Sequence, residues 1–169
     1  DAYNIHIVQY KTEGLRIEAA EGTLRSFFVD YLHEVQDKKL CHILFERITY
    51  DQMEEILSQA GNVRRLQLTD SARHDLAVQT ALSIQRSLTG HGIECSSSMA
   101  QKLEDTFEYS AAKEILNKIL NSIGVDIPYS EVFYLTQCLL TGKKLLDAGS
   151  GVNDEHVKEL VEKVLVDVD

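Results

Sequence analysis

A single proline, Pro128, interrupts 169 residues, and only nine glycines accompany it. Few positions therefore forbid the repeating backbone hydrogen bonds of a helix, and apolar side chains recur at helical spacing over most of the chain. Leu24, Phe27, Phe28, Tyr31 and Leu32 begin the pattern, and a second piece runs through Leu40, Ile43, Leu44 and Ile48. A third starts near Asp51, holds Met53, Ile56 and Leu57, and is expected to stop at Gly61. Thr69 or Asp70 offers a cap for the next helix, in which Leu76, Thr80, Ile84 and Leu88 follow at fours up to Gly90. Ser96 to Ser98 offers another cap, ahead of Met99 and Leu103. Tyr109, Ala112, Ile115, Leu116, Ile119, Leu120 and Ile123 then form one stripe that ends at Gly124. Beyond Pro128, the residues Val132, Leu135, Leu139 and Leu140 mark another helix. Leu146 to Gly151 reads as a linker, and Val157, Leu160, Val161 and Val164 mark a final helix.

Only the first stretch departs from this period. Residues 3–10 alternate Ile5 and Ile7 against His6 and Gln9, residues 11–14 are turn-forming, and Leu15 to Ile17 can return as a second strand. The expected fold class is all-α, a helical bundle with a small N-terminal β-hairpin.

Charge narrows the function classes. Seventeen Lys and Arg stand against 27 Asp and Glu, a net charge of −10. A chain that grips phosphate backbones carries a basic face, so this one is a poor candidate for holding nucleic acid itself. No apolar run approaches the roughly 20 residues of a membrane span, and no basic-then-apolar leader is present. Three dispersed cysteines, Cys41, Cys95 and Cys138, are odd in number and point to a reducing compartment, by default the cytoplasm. The start at Asp1, without Met, suggests an excised fragment.

Catalytic and metal chemistry find little support. Six histidines (His6, His33, His42, His74, His91 and His156) are scattered, with neither HExxH nor CxxC and no glycine-rich phosphate loop. Cys41 and His42 are adjacent, and helical neighbours point about 100° apart, too far to act as nucleophile and base. Acidic groups such as Glu13, Glu18, Glu21 and Asp154-Glu155 read as solvated faces. The expectation is no enzyme, no catalytic residue, no metal and no cofactor. Two polar positions on apolar helices stand out, Gln79 and Cys138. Taken alone they are a hydrogen-bonded amide at a seam and a small buried hydrophobe.

The stretch Asp126 to Leu140 (DIPYSEVFYLTQCLL) resembles the closing motif of the phosphotransferase-system regulation domain, or PRD. In that family the pattern runs Pro, Glu, aromatic, Leu, then a histidine followed by aliphatics. Leu66 to Arg86 is similar to the family's first helix, with Thr69-Asp70 opening it and Arg86 closing it, and Tyr109 to Ala112 fits the helix between. Gly14 to Glu21, with Arg25 four residues on, resembles the segment that joins a winged-helix DNA-binding unit to the first PRD in multi-domain activators of sugar operons. Ala19 stands there where a glycine is usual. The simpler RNA-binding antiterminators lack such a segment, so the resemblance favours the activators.

The resemblance implies a PRD-like bundle at 62–145, preceded by a hairpin at 1–20 (the edge of a winged-helix region) and connecting helices at 21–61. It is followed by a linker at 146–153 and a helix at 154–169 that opens a second PRD. It implies a regulatory domain, a homodimer in which the helices carrying Gln79 and Cys138 contribute to the interface, phosphorylated on histidine by phosphocarrier or sugar-permease components. Nucleic acid is then contacted only through domains outside this stretch. A phosphate adds about −1.5 to −2 charges at a helix interface, enough to weld or split a dimer.

With Asp70, Arg86, Glu131 and Tyr134 as the family-motif residues, the first family histidine, aligned on Arg86, falls on Gln79; the second, aligned on Glu131 and Tyr134, falls on Cys138. Neither can form phosphohistidine. The leading expectation is a PRD that has lost its usual switch and serves as a dimerisation or docking scaffold. The alternatives are a displaced acceptor at His74 or His91, or an unrelated helical adaptor.

Overall fold

A computed structural model describes residues 5–11, 14–35 and 38–148. The chain is mostly helical. Two short segments, β1 (His6–Tyr10) and β2 (Gly14–Glu18), pair antiparallel with Ile7 opposite Ile17. Eight helices follow among the described residues: α1 (Glu21–Val35), α2 (Lys38–Leu44), α3 (Tyr50–Gln59), α4 (Gly61–Arg65), α5 (Asp70–Leu88), α6 (Ser97–Glu104), α7 (Phe107–Ile123) and α8 (Ser130–Ala148). The final helix expected at 154–169 lies outside the described residues.

Local chemistry sets most boundaries. Thr49 caps α3 by accepting from the Gln52 amide while the Gln52 side chain accepts from the Thr49 amide. Thr69, Ser96 and Thr106 cap α5, α6 and α7 in the same way through their hydroxyls. Gly124 ends α7 at φ 68°, where a side chain is strained.

Three expectations need correction. Gly61 does not stop a helix; α3 ends at Gln59, and Gly61 opens α4 because the Glu114 carboxylate on α7 accepts from the Gly61 and Asn62 amides at 2.8 and 2.9 Å. Ile48 is not helical but lies in the loop before Thr49, plugged into the core at 1% exposure. Leu88 and Leu120, expected on buried stripes, are exposed. At the far end, α8 continues to Ala148, into the stretch whose composition suggests a linker.

The core forms where α7 and α8 lie together and α5 packs on α8. Ala111, Ala112, Ile115 and Ile119 of α7, Ala77, Ala81 and Ile84 of α5, and Leu135 of α8 are completely enclosed. Small residues at Ala77 and Ala81 let the helices approach closely. The buried hydroxyls of Thr80 and Thr136 bond back to the carbonyls of Leu76 and Val132, both at 2.7 Å, and so cost the core little.

Candidate functional site

Gln79, Ser83 and Ser87 recur at fours along α5, and Glu131, Tyr134 and Cys138 follow one face of α8. The two polar rows oppose each other antiparallel in the α5–α8 seam. At one end, Gln79 and Cys138 line the same cleft of about 290 Å³, with Thr69, Ala72, Leu76 and Leu139 among its walls. At the other, the Ser87 hydroxyl donates to Glu131 at 2.9 Å.

Cys138 is intermediate in exposure, yet its sulfur is withdrawn from water. Burial pushes the thiol up to about 12, against the opposing pull of the Tyr134 hydrogen bond and the Arg25 charge. At neutral pH it is a thiol and not a thiolate, and the nucleophilic form is all but absent. Burial likewise pushes the Tyr134 hydroxyl well above its ordinary range.

Glu131 opens α8 and is completely enclosed, as is its partner Arg25, which reaches in from α1. The guanidinium grips both carboxylate oxygens, at 2.5 and 2.8 Å. It also donates to the Ser83 hydroxyl at 3.2 Å, the His91 carbonyl at 3.2 Å and Glu21 at 2.9 Å, so each of its five N–H groups is used. Its plane lies over the Tyr134 ring, 4.7 Å from the centroid. Burial by itself weakens this charge, but Glu131 more than offsets it and holds the guanidinium firmly protonated. Glu21 closes the network by taking Arg86 in a two-point grip at 2.7 and 2.6 Å. Burial tends to raise the Glu21 carboxyl, and its two arginine partners outweigh that and lower it.

The structure thus gathers Arg86, Glu131 and Tyr134 into one network and places Gln79 and Cys138 on one cleft. Asp70 sits exposed in the first turn of α5. His74 and His91 are both exposed and lie at opposite ends of α5, with ~20 Å of helix between them. His74 Nδ1 is 2.8 Å from the Tyr50 hydroxyl, and His91 Nδ1 is 3.2 Å from the Thr89 hydroxyl. Glu21 corrects the reading of it as a solvated acid: it is half-buried between two arginines. The signal was present in the Glu21–Arg25 spacing of four. Nothing in the local sequence marked Ser83 as a partner of Arg25 or Ser87 as a partner of Glu131. Among the described residues no group of three His, Cys, Asp or Glu is placed to hold a metal ion, and no helix is long and apolar enough to cross a membrane. Leu82 and Leu135, on the helices expected to form a dimer interface, are spent inside the bundle.

Comparison with known proteins places this geometry. A Bacillus anthracis protein named "Anthrax toxin expression trans-acting positive regulator" is 23% identical over 150 residues, which are 89% of this chain. The chain spans 30% of that protein's length. The PRD domain family matches residues 54–141, from α3 to α8, which contain Gln79, Glu131 and Cys138. That match covers just over half of the sequence and both helices of the seam, so the chain belongs to the PRD domain family.

Proposed function

We propose that this chain is the regulatory and dimerisation module of a bacterial transcription regulator that answers to the sugar-phosphotransferase system, with the two usual acceptor positions replaced. It performs no catalysis of its own. What supports this reading is the PRD match together with Gln79 and Cys138 on one cleft, the two residues on which the sequence resemblance puts the family's histidines. An amide cannot accept a phosphoryl group as histidine does, and a thiol held protonated is a poor substitute. The name of the Bacillus anthracis relative, a positive regulator, supports a role in transcription. In this reading the β1–β2 pair is the edge of a winged-helix unit, 154–169 opens a second PRD, and the partners are a second copy of the chain and phosphocarrier or sugar-permease components. The protein works in the cytoplasm and meets nucleic acid only through domains outside this stretch.

A second reading keeps the switch at a displaced histidine. His74 favours it over His91, because its ring is held against Tyr50 by both the 2.8 Å hydrogen bond and ring contact at 5.4 Å.

The test is phosphotransfer. The chain is mixed with phosphoenolpyruvate and the general phosphotransferase proteins and read by intact mass at alkaline pH, beside the variant Gln79→His with Cys138→His. Phosphate on the variant alone supports the lost-switch reading. Phosphate on the native chain overturns it, and its loss in His74→Ala then assigns the acceptor. Phosphate on neither overturns the alignment of the two positions.

A further inference from the structure

Arg25 lies well before residues 54–141, the stretch that matches the PRD family, yet its guanidinium is enclosed at the centre of that stretch. The helix that carries it presents a thinner apolar face to the core than α7 does. On α1 Leu24 and Val29 are buried at 8% exposure each and Phe28 and Leu32 pack partly buried against the core, while α7 buries Ala111, Ala112, Ile115 and Ile119 at no exposure. The polar clamp, with the Arg86–Glu21 pair beside it, is therefore a larger share of what seats α1 than any polar contact is of what seats α7.

The clamp is continuous with the cleft. Glu131, Tyr134 and Cys138 share one face of α8, so the Cys138 sulfur lies about 10 Å along the helix from the carboxylate. Arg25 touches the first two, through the two-point ion pair and the Tyr134 ring face. On α5, Ser83 and Ser87 bond to the same pair, one turn and two turns from Gln79. A change of charge or volume at Gln79 or Cys138 is thus felt by the buried cation that fastens α1 to α8.

We propose that the Arg25–Glu131 clamp is a coupling device, which transmits the state of the α5–α8 seam at Gln79 and Cys138 to the seating of α1 and of the strand pair joined to it. The packing alone carries this, whether or not the family positions ever receive phosphate. A negative charge entering the cleft competes with Glu131 for Arg25 and loosens α1. An apolar clamp has no charge to compete for, and it leaves α1 indifferent to the cleft.

The experiment is amide hydrogen exchange on the full chain, read by mass spectrometry for peptides of α1, α7 and α8. Four forms are compared: native, Cys138→Asp, the pair Arg25→Met with Glu131→Leu, and all three substitutions together. Cys138→Asp is expected to speed exchange in α1 about tenfold in the native background and less than about twofold in the apolar-clamp background, the size typical of coupled neighbours. An equal response of α1 in both backgrounds overturns the proposal, as does an unmoved α1 when α8 responds. Should Cys138→Asp loosen α7 as much as α1, opening the whole bundle, Gln79→Glu on the partly exposed facing position takes its place with the same two outcomes.

Discussion

Glu131→Ala is the sharpest test of how the bundle is held. Both members of its ion pair with Arg25 are at 0% exposure, so the guanidinium left behind has no water to turn to. It loses the bonds at 2.5 and 2.8 Å and keeps only Glu21, already shared with Arg86, together with Ser83 and the His91 carbonyl. Removing one partner of such a pair costs about 3–5 kcal/mol. In a domain of this size, where each kcal/mol moves the melting point by roughly 2–4 °C, the transition falls by about 6–20 °C. Replacing both partners, Arg25→Met with Glu131→Leu, removes the orphaned charge and fills its volume. Ser83 and Ser87 can then bond to carbonyls four residues back, as Thr80 and Thr136 already do. The paired variant is expected to recover most of the loss. The assay is urea unfolding followed by helical circular dichroism, with the slope against urea checked for a constant exposed area. A loss below about 1 kcal/mol for Glu131→Ala refutes the claim that the pair is sealed from water. A paired variant as unstable as the sum of the single ones refutes the claim that the stranded charge is what costs.

Three further outcomes follow from the same geometry. Because its arginine partners hold the folded Glu21 carboxyl below 4.5, its contribution is complete above that value and is lost as pH falls through the lower folded value. Glu21→Gln should therefore be less stable than the native chain at pH 7 and approach it as the pH falls below the ordinary carboxylate range, and a difference that does not shrink with acid sinks this account. The Cys138 thiol should resist iodoacetamide at pH 8 in the folded chain and react freely in urea, since burial holds it near 12; equal rates in the two states would contradict the burial. Gly124→Ala meets no neighbouring atom, so its cost is backbone alone, about 1–2 kcal/mol for a left-handed residue at φ 68°. A variant as stable as the native chain in urea would show that α7 is not ended by that conformation.

Much of the helical layout was legible because it depends on near neighbours. The caps at Thr69 and Ser96 and the stop at Gly124 are local chemistry, and each lies where its residue type suggests. The apolar stripe of α7 told which of its faces goes inside, apart from Leu120 at the margin. Gly61 was misleading for a physical reason. A glycine ends a helix or opens one according to what meets its amide, and here Glu114 arrives from 53 residues away. Ile48 misled likewise, since an apolar residue at helical spacing can equally plug a core from a loop.

The candidate site divides along the same line. Gln79 and Cys138 stood out by themselves, as polar residues on apolar helices and through the resemblance, because side-chain identity and spacing are written in the sequence. That they share a cleft depends on α5 and α8 lying antiparallel, which is a matter of packing. Glu21 read as a solvated acid, and nothing marked Arg25, Ser83 or Ser87 as buried, since charge and hydroxyl carry no mark of burial. Their pairing over separations of 58, 65 and 106 residues arises only when the helices close and exclude water. The amino-acid order by itself determined which segments are helices and where most of them begin and end, because those depend on contacts within a few residues. Tertiary structure alone decided that a helix outside the family stretch is fastened to its centre, because a buried charge acquires its partner only from chain that folding brings to it.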